Sequence, residues 1–194
     1  INATNVNIAA NDTSGIDGRV AYSYDFGEWG AFDWDYNASY YLESSTLPLP
    51  GFGQFDCVGY YDNNCQNPNF GYSHVFTTTY TTNFNLSVSA VWRHVSSVER
   101  VSAIDANTGA ITVFDPSTLA TAVLPSFNYL DRAFFYDLFE NVQLRAGVNN
   151  VFDVDPPIVP GFTPSPTGNQ NGFTYPGNYD TAGRFIFTGI NVRF

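Results

Sequence analysis

Apolar and polar residues alternate along most of this chain. From Gly30 to Glu43 the even positions read Phe32, Trp34, Tyr36, Ala38, Tyr40 and Leu42, and the odd ones Asp33, Asp35, Asn37, Ser39, Tyr41 and Glu43. Successive side chains of a β-strand point to opposite faces, so this segment has one apolar face and one polar, acidic face. The 3.6-residue period of a helix would mix the two sets. Residues 4–26 repeat the pattern: Val6, Ile8, Ala10, Ile16, Val20, Tyr22, Tyr24 and Phe26 share one parity, and Asn5, Asn7, Asn11, Asp17, Arg19, Ser23 and Asp25 the other. Their two halves are in phase, which favours a single long strand. The alternative is a tight hairpin at residues 11–15, giving eight strands in place of seven.

Further strands are expected over about 72–82, with Phe76 and Tyr80 opposed to Thr77 and Thr79, and from Leu86 to Arg93, with Leu86, Val88, Ala90 and Trp92 opposed to Ser87, Ser89 and Arg93. Leu130, Phe134, Tyr136 and Leu138 oppose Asp131 and Asp137. Val142, Leu144, Ala146 and Val148 oppose Gln143, Arg145 and Asn149, and the last strand ends Ile190, Val192, Phe194. Short turns fall near 27–30, 82–85 and 139–141. Long stretches rich in Gly, Pro, Asn and Asp fall near 47–71, 101–125 and 152–181, where loops are expected.

Short turns at one end and long loops at the other are the pattern of an outer-membrane barrel. The predicted fold is therefore all-β: part of an antiparallel transmembrane β-barrel of about seven to eight sequential up-and-down strands, with short periplasmic turns and long extracellular loops. Tyr24, Phe26, Trp29, Phe32, Tyr80, Phe84, Tyr136, Phe139 and Phe194 crowd the short-turn end, as an aromatic girdle at the periplasmic interface would. A soluble β-sandwich explains the alternation equally well, but neither the one-sided loop lengths nor the aromatic clustering.

Composition sharpens this picture. Only 13% of residues are charged and 18% are aromatic, whereas roughly a quarter are charged in an ordinary soluble domain. The net charge of −11 excludes nucleic acid as a partner, because phosphate binding needs basic patches, and leaves cationic or neutral ligands open. Cys57 and Cys65 sit in one polar loop and read as a local disulfide in an oxidising compartment; the other reading, a metal site, lacks a nearby His.

Several motifs resemble those of TonB-dependent outer-membrane receptors, over essentially the whole chain. Thr13-Ser14-Gly15-Ile16-Asp17 followed by Tyr22-Ser23-Tyr24-Asp25-Phe26-Gly27 resembles their long descending strand. Leu47-Pro48-Leu49-Pro50-Gly51, with Asp56-Cys57, Cys65 and Pro68, resembles an extracellular loop of one subgroup. Leu144-Arg145-Ala146-Gly147-Val148-Asn149-Asn150-Val151-Phe152-Asp153 resembles the penultimate strand, and Tyr175-Pro176, Tyr179-Asp180, Gly183-Arg184 and Phe194 the closing one. Gly189, Val192 and Phe194 resemble the signal read by the barrel-insertion machinery, with Phe187 where a polar residue is usual.

The resemblance implies a bacterial outer-membrane transporter, part of a 22-stranded barrel filled by a plug, importing a scarce large nutrient (siderophore, cobalamin or oligosaccharide) with energy delivered through TonB. Residues 1–194 then form the C-terminal part of the barrel, without plug or TonB box. Its partners are outer-membrane lipid, the rest of the barrel and plug, TonB and the insertion machinery. The first and last strands should find no partner within this chain. A small self-contained barrel with a structural or adhesive role is the alternative.

No catalytic set, metal site or cofactor motif emerges. Asp33 and Asp35 are paired carboxylates, but on one strand facing a wet lumen they read as a solvated wall rather than an acid–base pair. Asp17, Asp25 and Glu43 extend that row, which could hold a basic plug residue. Arg93, Arg145 and Arg193 are placed on the same lumen side, and Trp34, Tyr36, Val88, Leu144 and Val192 toward lipid. His74 and His94 read as structural. Ligand contacts are placed on Phe52, Phe55, Tyr60, Tyr61, Phe70 and Tyr72, around the Cys57–Cys65 loop. Arg132 stands out, because its parity puts a cation on the lipid face unless a bulge moves it inward or it lies near the membrane edge.

Overall fold

The computed structural model describes residues 10–61, 64–159 and 173–193. Its main sheet has seven long strands: β1 (Ala10–Asp25), β2 (Ala31–Leu47), β5 (Tyr72–Thr81), β6 (Leu86–Val95), β10 (Phe127–Phe139), β11 (Val142–Asn149) and β12 (Phe185–Val192). They lie side by side in that order, each antiparallel to the next. The connections between them carry short strands of their own: β3 (Phe55–Asp56), β4 (Tyr60–Tyr61), β7 (Val98–Ile104), β8 (Ile111–Val113) and β9 (Val123–Leu124). Among the described residues β1 and β12 each pair on one side only and not with each other.

β1 is one strand. It runs straight through residues 11–15 and pairs with β2 from Ala10↔Leu47 to Asp25↔Ala31, so the hairpin alternative does not hold. One irregularity interrupts this ladder: Ser14 faces Glu43 whereas Gly15 faces Tyr41, leaving Leu42 as an extra residue on β2. Such a bulge exchanges the faces of every residue beyond it. Glu43 therefore joins the face of Ser14 and Ile16 and leaves the acidic row in which simple alternation had placed it.

Below that bulge the two faces follow the parity. One carries Val20, Tyr36, Phe76, Trp92 and Leu130 in register across five strands, with Tyr24, Phe32, Tyr80, Val88 and Phe134 in a row nearer the short turns. The other carries Ser23, Asp33, Thr79 and Ser89, and nearer the loops Arg19, Asn37, Val75, Arg93 and Tyr129. No irregularity falls between Phe127 and Tyr136, so Arg132 stays on the apolar face, opposite Ala90 and Val148. The bulge in β10 lies lower, between Asp137 and Phe139, and sets Phe139 opposite Val142.

The polar face is not uniform. Phe135, Phe185 and Phe187 lie on it by register, beside Arg145, Gly147 and Gly189. Two glycines make this possible. A Cβ on Gly147 would overlap the Phe187 ring and fall 2.7 Å from the Arg132 carbonyl oxygen. A Cβ on Gly189 would fall 2.6 Å from Arg145 Nε. The aromatic ring and the guanidinium thus lie flat against bare backbone.

The short turns appear where expected: a 3₁₀ turn at Gly27–Trp29, residues 82–85, and residues 140–141. The segment read as loop over 101–125 is more structured than its composition suggested. β7 pairs with β8 and β9 antiparallel and with β4 parallel, forming a small second sheet. Two apolar clusters hold this layer to the upper ends of the long strands: Tyr61, Val98, Leu124, Phe127, Tyr129, Val159 and Tyr179 in one, and Phe55, Val101 and the Cys57–Cys65 pair in the other. Cys57 and Cys65 form a disulfide, with Cα atoms 5.4 Å apart. The described parts of the loops thereby form a packed layer.

Candidate functional site

The polar face, with Asn178 from the segment that folds over it, lines an open cavity of about 570 Å³. Two rows of the sheet form its wall. Asp17, Ser39, Ser73 and Val95 are in register from β1 to β6; one step toward the short turns come Arg19, Asn37, Val75, Arg93 and, on β10, Tyr129. Gly18, Ala38, His74 and His94, from the intervening positions, and Asn178, from the segment before β12, also line it.

Both arginines of this wall are held by carboxylates. Arg19 donates its Nε to Asp35 Oδ2 at 2.8 Å, and a second nitrogen binds the same oxygen. Arg93 grips Asp131 with two nitrogens, at 2.9 and 3.2 Å, and reaches Asp180 Oδ2 at 3.5 Å. Its guanidinium carbon also lies 5.1 Å from the centre of the Tyr129 ring, within cation–π range. Asp17 accepts the Ser39 hydroxyl at 2.6 Å and has no cationic partner among the described residues.

The segment 173–184 is fastened over the wall by the residues that carried the family resemblance. Asn150 is fully buried at the end of β11; its side chain closes a turn, accepting from Val154 N–H at 2.9 Å and donating to Val154 O at 3.0 Å. Its backbone N–H donates to Asp131 Oδ1 at 2.8 Å. Asp153 Oδ1 accepts the Arg184 N–H at 2.7 Å, and Arg184 Nε donates to Val151 O at 3.1 Å. Asp180 N–H reaches the Tyr129 hydroxyl at 3.3 Å. Tyr179, beside it, is buried against Phe70 and Phe127, and burial pushes its hydroxyl well above the ordinary tyrosine range, with the neighbouring Tyr129, Tyr61 and Tyr175 adding to the shift. The asparagine pair, its following aspartate and the Gly-Arg pair form a clasp between the last two strands.

The aromatic residues expected to contact ligand do not assemble into one site. Phe55 and Tyr61 are buried in the two loop clusters, and the Tyr61 hydroxyl binds Thr121 O. Tyr60 and Phe70 pack at their margins, while Phe52 is exposed. Tyr72 lies on the apolar face, where its hydroxyl meets those of Tyr36 and, at 3.0 Å, His74 Nδ1. His74 and His94 stack at 5.0 Å in the same cluster, and Trp92 Nε1 and His94 Nδ1 share Asn128 Oδ1, each at 2.9 Å. The two histidines are thus built into an aromatic belt at the loop end of the apolar face. No group of three or more His, Cys, Asp or Glu able to hold a metal ion occurs among the described residues.

Asp33, Asp35, Arg93 and Arg145 do share the polar face, but they sit in different rows, and Asp35 is taken up as an acceptor by Arg19 and Asn37. Gly189 and Val192 lie in β12; Phe194 is outside the described residues. Of the cavity's residues, Asp17, Arg19 and Asn37 were visible as polar-parity positions, whereas Tyr129 and Asn178 were not singled out. What sequence could not supply was the register that sets β1 beside β2 and joins Arg93 to Asp131 across 38 residues of chain.

No protein-family model matches this chain, and no curated protein does. Solved structures do: two variants of the ferric enterobactin receptor PfeA from Pseudomonas aeruginosa superpose over 94% of the chain, with TM-scores of 0.56 and 0.55 at 16% and 15% identity. A third, a variant in complex with enterobactin, gives 0.55 at 17% identity. In each case the chain spans only 22% of the receptor's length. This chain shares its fold with a stretch of those receptor chains, about a fifth of their length.

Proposed function

We propose that the chain is the C-terminal part of the barrel wall of a TonB-dependent outer-membrane receptor importing a scarce large nutrient, a siderophore, cobalamin or an oligosaccharide. The observation that carries this reading is a single sheet of seven sequential antiparallel strands with an apolar and a polar face, tight turns at one end and a packed loop layer at the other. A wall with lipid on one side and an aqueous or plug-filled lumen on the other requires that arrangement. Asp33, Asp35, Arg93 and Arg145 then face the lumen, and Trp34, Tyr36, Val88 and Leu144 the outer-membrane lipid. β1 and β12, whose outer edges are unpaired among the described residues, offer them to the rest of the barrel, since an unpaired edge is intolerable in a bilayer.

The protein's role is transport rather than catalysis. Its further partners are the plug, TonB and the insertion machinery, which reads Gly189, Val192 and Phe194. Deleting the encoding gene and measuring growth on limiting iron, cobalamin and oligosaccharide supplies, with and without TonB, tests the reading. Loss of growth on one supply, reproduced by loss of TonB, is the expected result. Uptake indifferent to both deletions contradicts it.

A further inference from the structure

We propose that the apolar wall around Arg132 is a docking surface for a second membrane-embedded protein, which lays an apolar ridge into the groove beside this arginine and offers it a carboxylate. The inference goes beyond the receptor reading and rests on it for the side on which lipid lies.

Arg132 is exposed on the apolar face, and its guanidinium takes part in no ion pair or hydrogen bond among the described residues. Its neighbours in register are Ala90 and Val148. Below the bulge at Leu42, no Asp or Glu of the described strands shares this face. The flanking strands β6 and β11 both belong to this chain, so no other part of the barrel can come beside Arg132 within the sheet. An ionisable side chain at membrane depth is costly and is almost always paired. The group that pairs with Arg132 must therefore lie on the wall, from outside.

Depth decides what that group is. Asn128, in the polar belt at the loop end, stands four residues from Arg132 on the same strand. Four residues span ~13 Å along a strand, or ~10 Å along the membrane normal at the usual tilt. The three-carbon stem of an arginine is too short to carry its head that far, and lipid phosphates lie at the belt or beyond it. A protein carboxylate can stand at the depth of Arg132 itself.

The relief of the wall fits a protein ridge. Thr78 and Ala90 form a row of small residues that ends at Arg132 on β10. Rows of larger side chains flank it, Phe76, Trp92 and Leu130 toward the loops and Tyr80, Val88 and Phe134 toward the short turns. The small row opens into a groove of about 370 Å³ between Phe76, Trp92, Leu130 and Phe152, with Asn128 and Tyr129 completing its lining. A second copy apposed through this same face would bring arginine toward arginine and supply no carboxylate, a repulsive pairing.

The test is photo-cross-linking in cells that make the full-length receptor, with Val148→p-benzoylphenylalanine placing the photoprobe next to Arg132 and away from the groove. The expected product is a discrete adduct with another membrane protein, whose cross-linked segment carries an Asp or Glu. Arg132→Gln should lower its yield by roughly tenfold or more, because truncating one partner of a desolvated charge pair weakens binding at least that much. Arg132→Lys should keep most of it. Exchanging the two charges, Arg132→Glu with Arg in place of the partner's carboxylate, should restore it. Adducts with lipid alone overturn the proposal. So do adducts only with a second copy of the receptor, and a protein adduct that Arg132→Gln leaves unchanged. Leu144→p-benzoylphenylalanine, on the same face, serves as the lipid control: its failure to label lipid in a folded receptor would sink the receptor reading itself, not the docking surface alone.

Discussion

Asp131 accepts the backbone N–H of Asn150 at 2.8 Å through the same carboxylate that holds Arg93 in a two-pronged grip. One side chain therefore joins β10, the end of β11 and, through Arg93 and Asp180, the segment folded over the cavity. Asp131→Asn keeps the shape but loses the charge. The Arg93 side chain is 38% exposed, so solvent screening limits the loss to about 1–2 kcal/mol. Amide hydrogen exchange of Asn150 and Asp180 in the full-length receptor should rise by roughly tenfold, with the amides of β1 and β2 unchanged.

Gly147 is the second point of leverage. Gly147→Ala sets a methyl group against the Phe187 ring and the Arg132 carbonyl, an overpacking expected to cost about 1–3 kcal/mol. Phe187→Ala in the same chain should restore only part of that stability, since the carbonyl remains. Chemical unfolding of the receptor in lipid measures both. Full restoration would show that the ring alone sets the fit.

The Tyr179 hydroxyl is buried with no hydrogen-bond partner among the described residues. Removing an unsatisfied buried hydroxyl is neutral to favourable, so Tyr179→Phe should stabilise the loop layer by up to about 1 kcal/mol. A second consequence follows from the raised pKa. The folded state holds this tyrosine neutral, so its contribution is fully present below the ordinary tyrosine pKa of about 10 and is lost as pH rises beyond it. Limited proteolysis of the loop layer should accelerate above that pH, and less so in Tyr179→Phe.

Arg132 sits four residues from Asn128 and four from Tyr136, all on the apolar face of β10. On the proposed orientation this is mid-membrane, where a lipid-facing arginine costs about 2–4 kcal/mol, against roughly 0–1 near an interface. Arg132→Leu should therefore raise the unfolding free energy of the full-length protein in lipid by an amount toward the upper range. No gain, or a loss, would place this arginine against a partner instead of against lipid.

The long strands were legible because period-2 alternation is local and repeats within ten residues. Leu86 to Arg93 and Val142 to Asn149 needed nothing more. Three things were not local. The bulge at Leu42 moves Glu43 to the other face, yet leaves no composition signal, because it is defined by the partner strand. β7 and β8 lie in a stretch whose Gly, Pro and Asp content reads as loop, and what orders it is a parallel pairing with Tyr60 and Tyr61, about 40 residues away. The cavity needed both cross-strand register and the return of residues 173–184 over Tyr129. Conversely, the Asn149–Asp153 motif was recognised by resemblance, and its physical content, the clasp to Arg184, became visible only in three dimensions.

The central claim, a sheet standing in a membrane with lipid on one face and water on the other, is tested most directly by site-directed spin labelling along β2. Single labels at each position from 31 to 41 of the full-length receptor in bilayers would be read for relaxation by oxygen, which partitions into lipid, and by a water-soluble nickel chelate. The account predicts a strict period of two: oxygen dominates at 32, 34 and 36, and the chelate at 33, 35 and 37. Equal accessibility to the chelate at both parities, or the opposite phase, would contradict it.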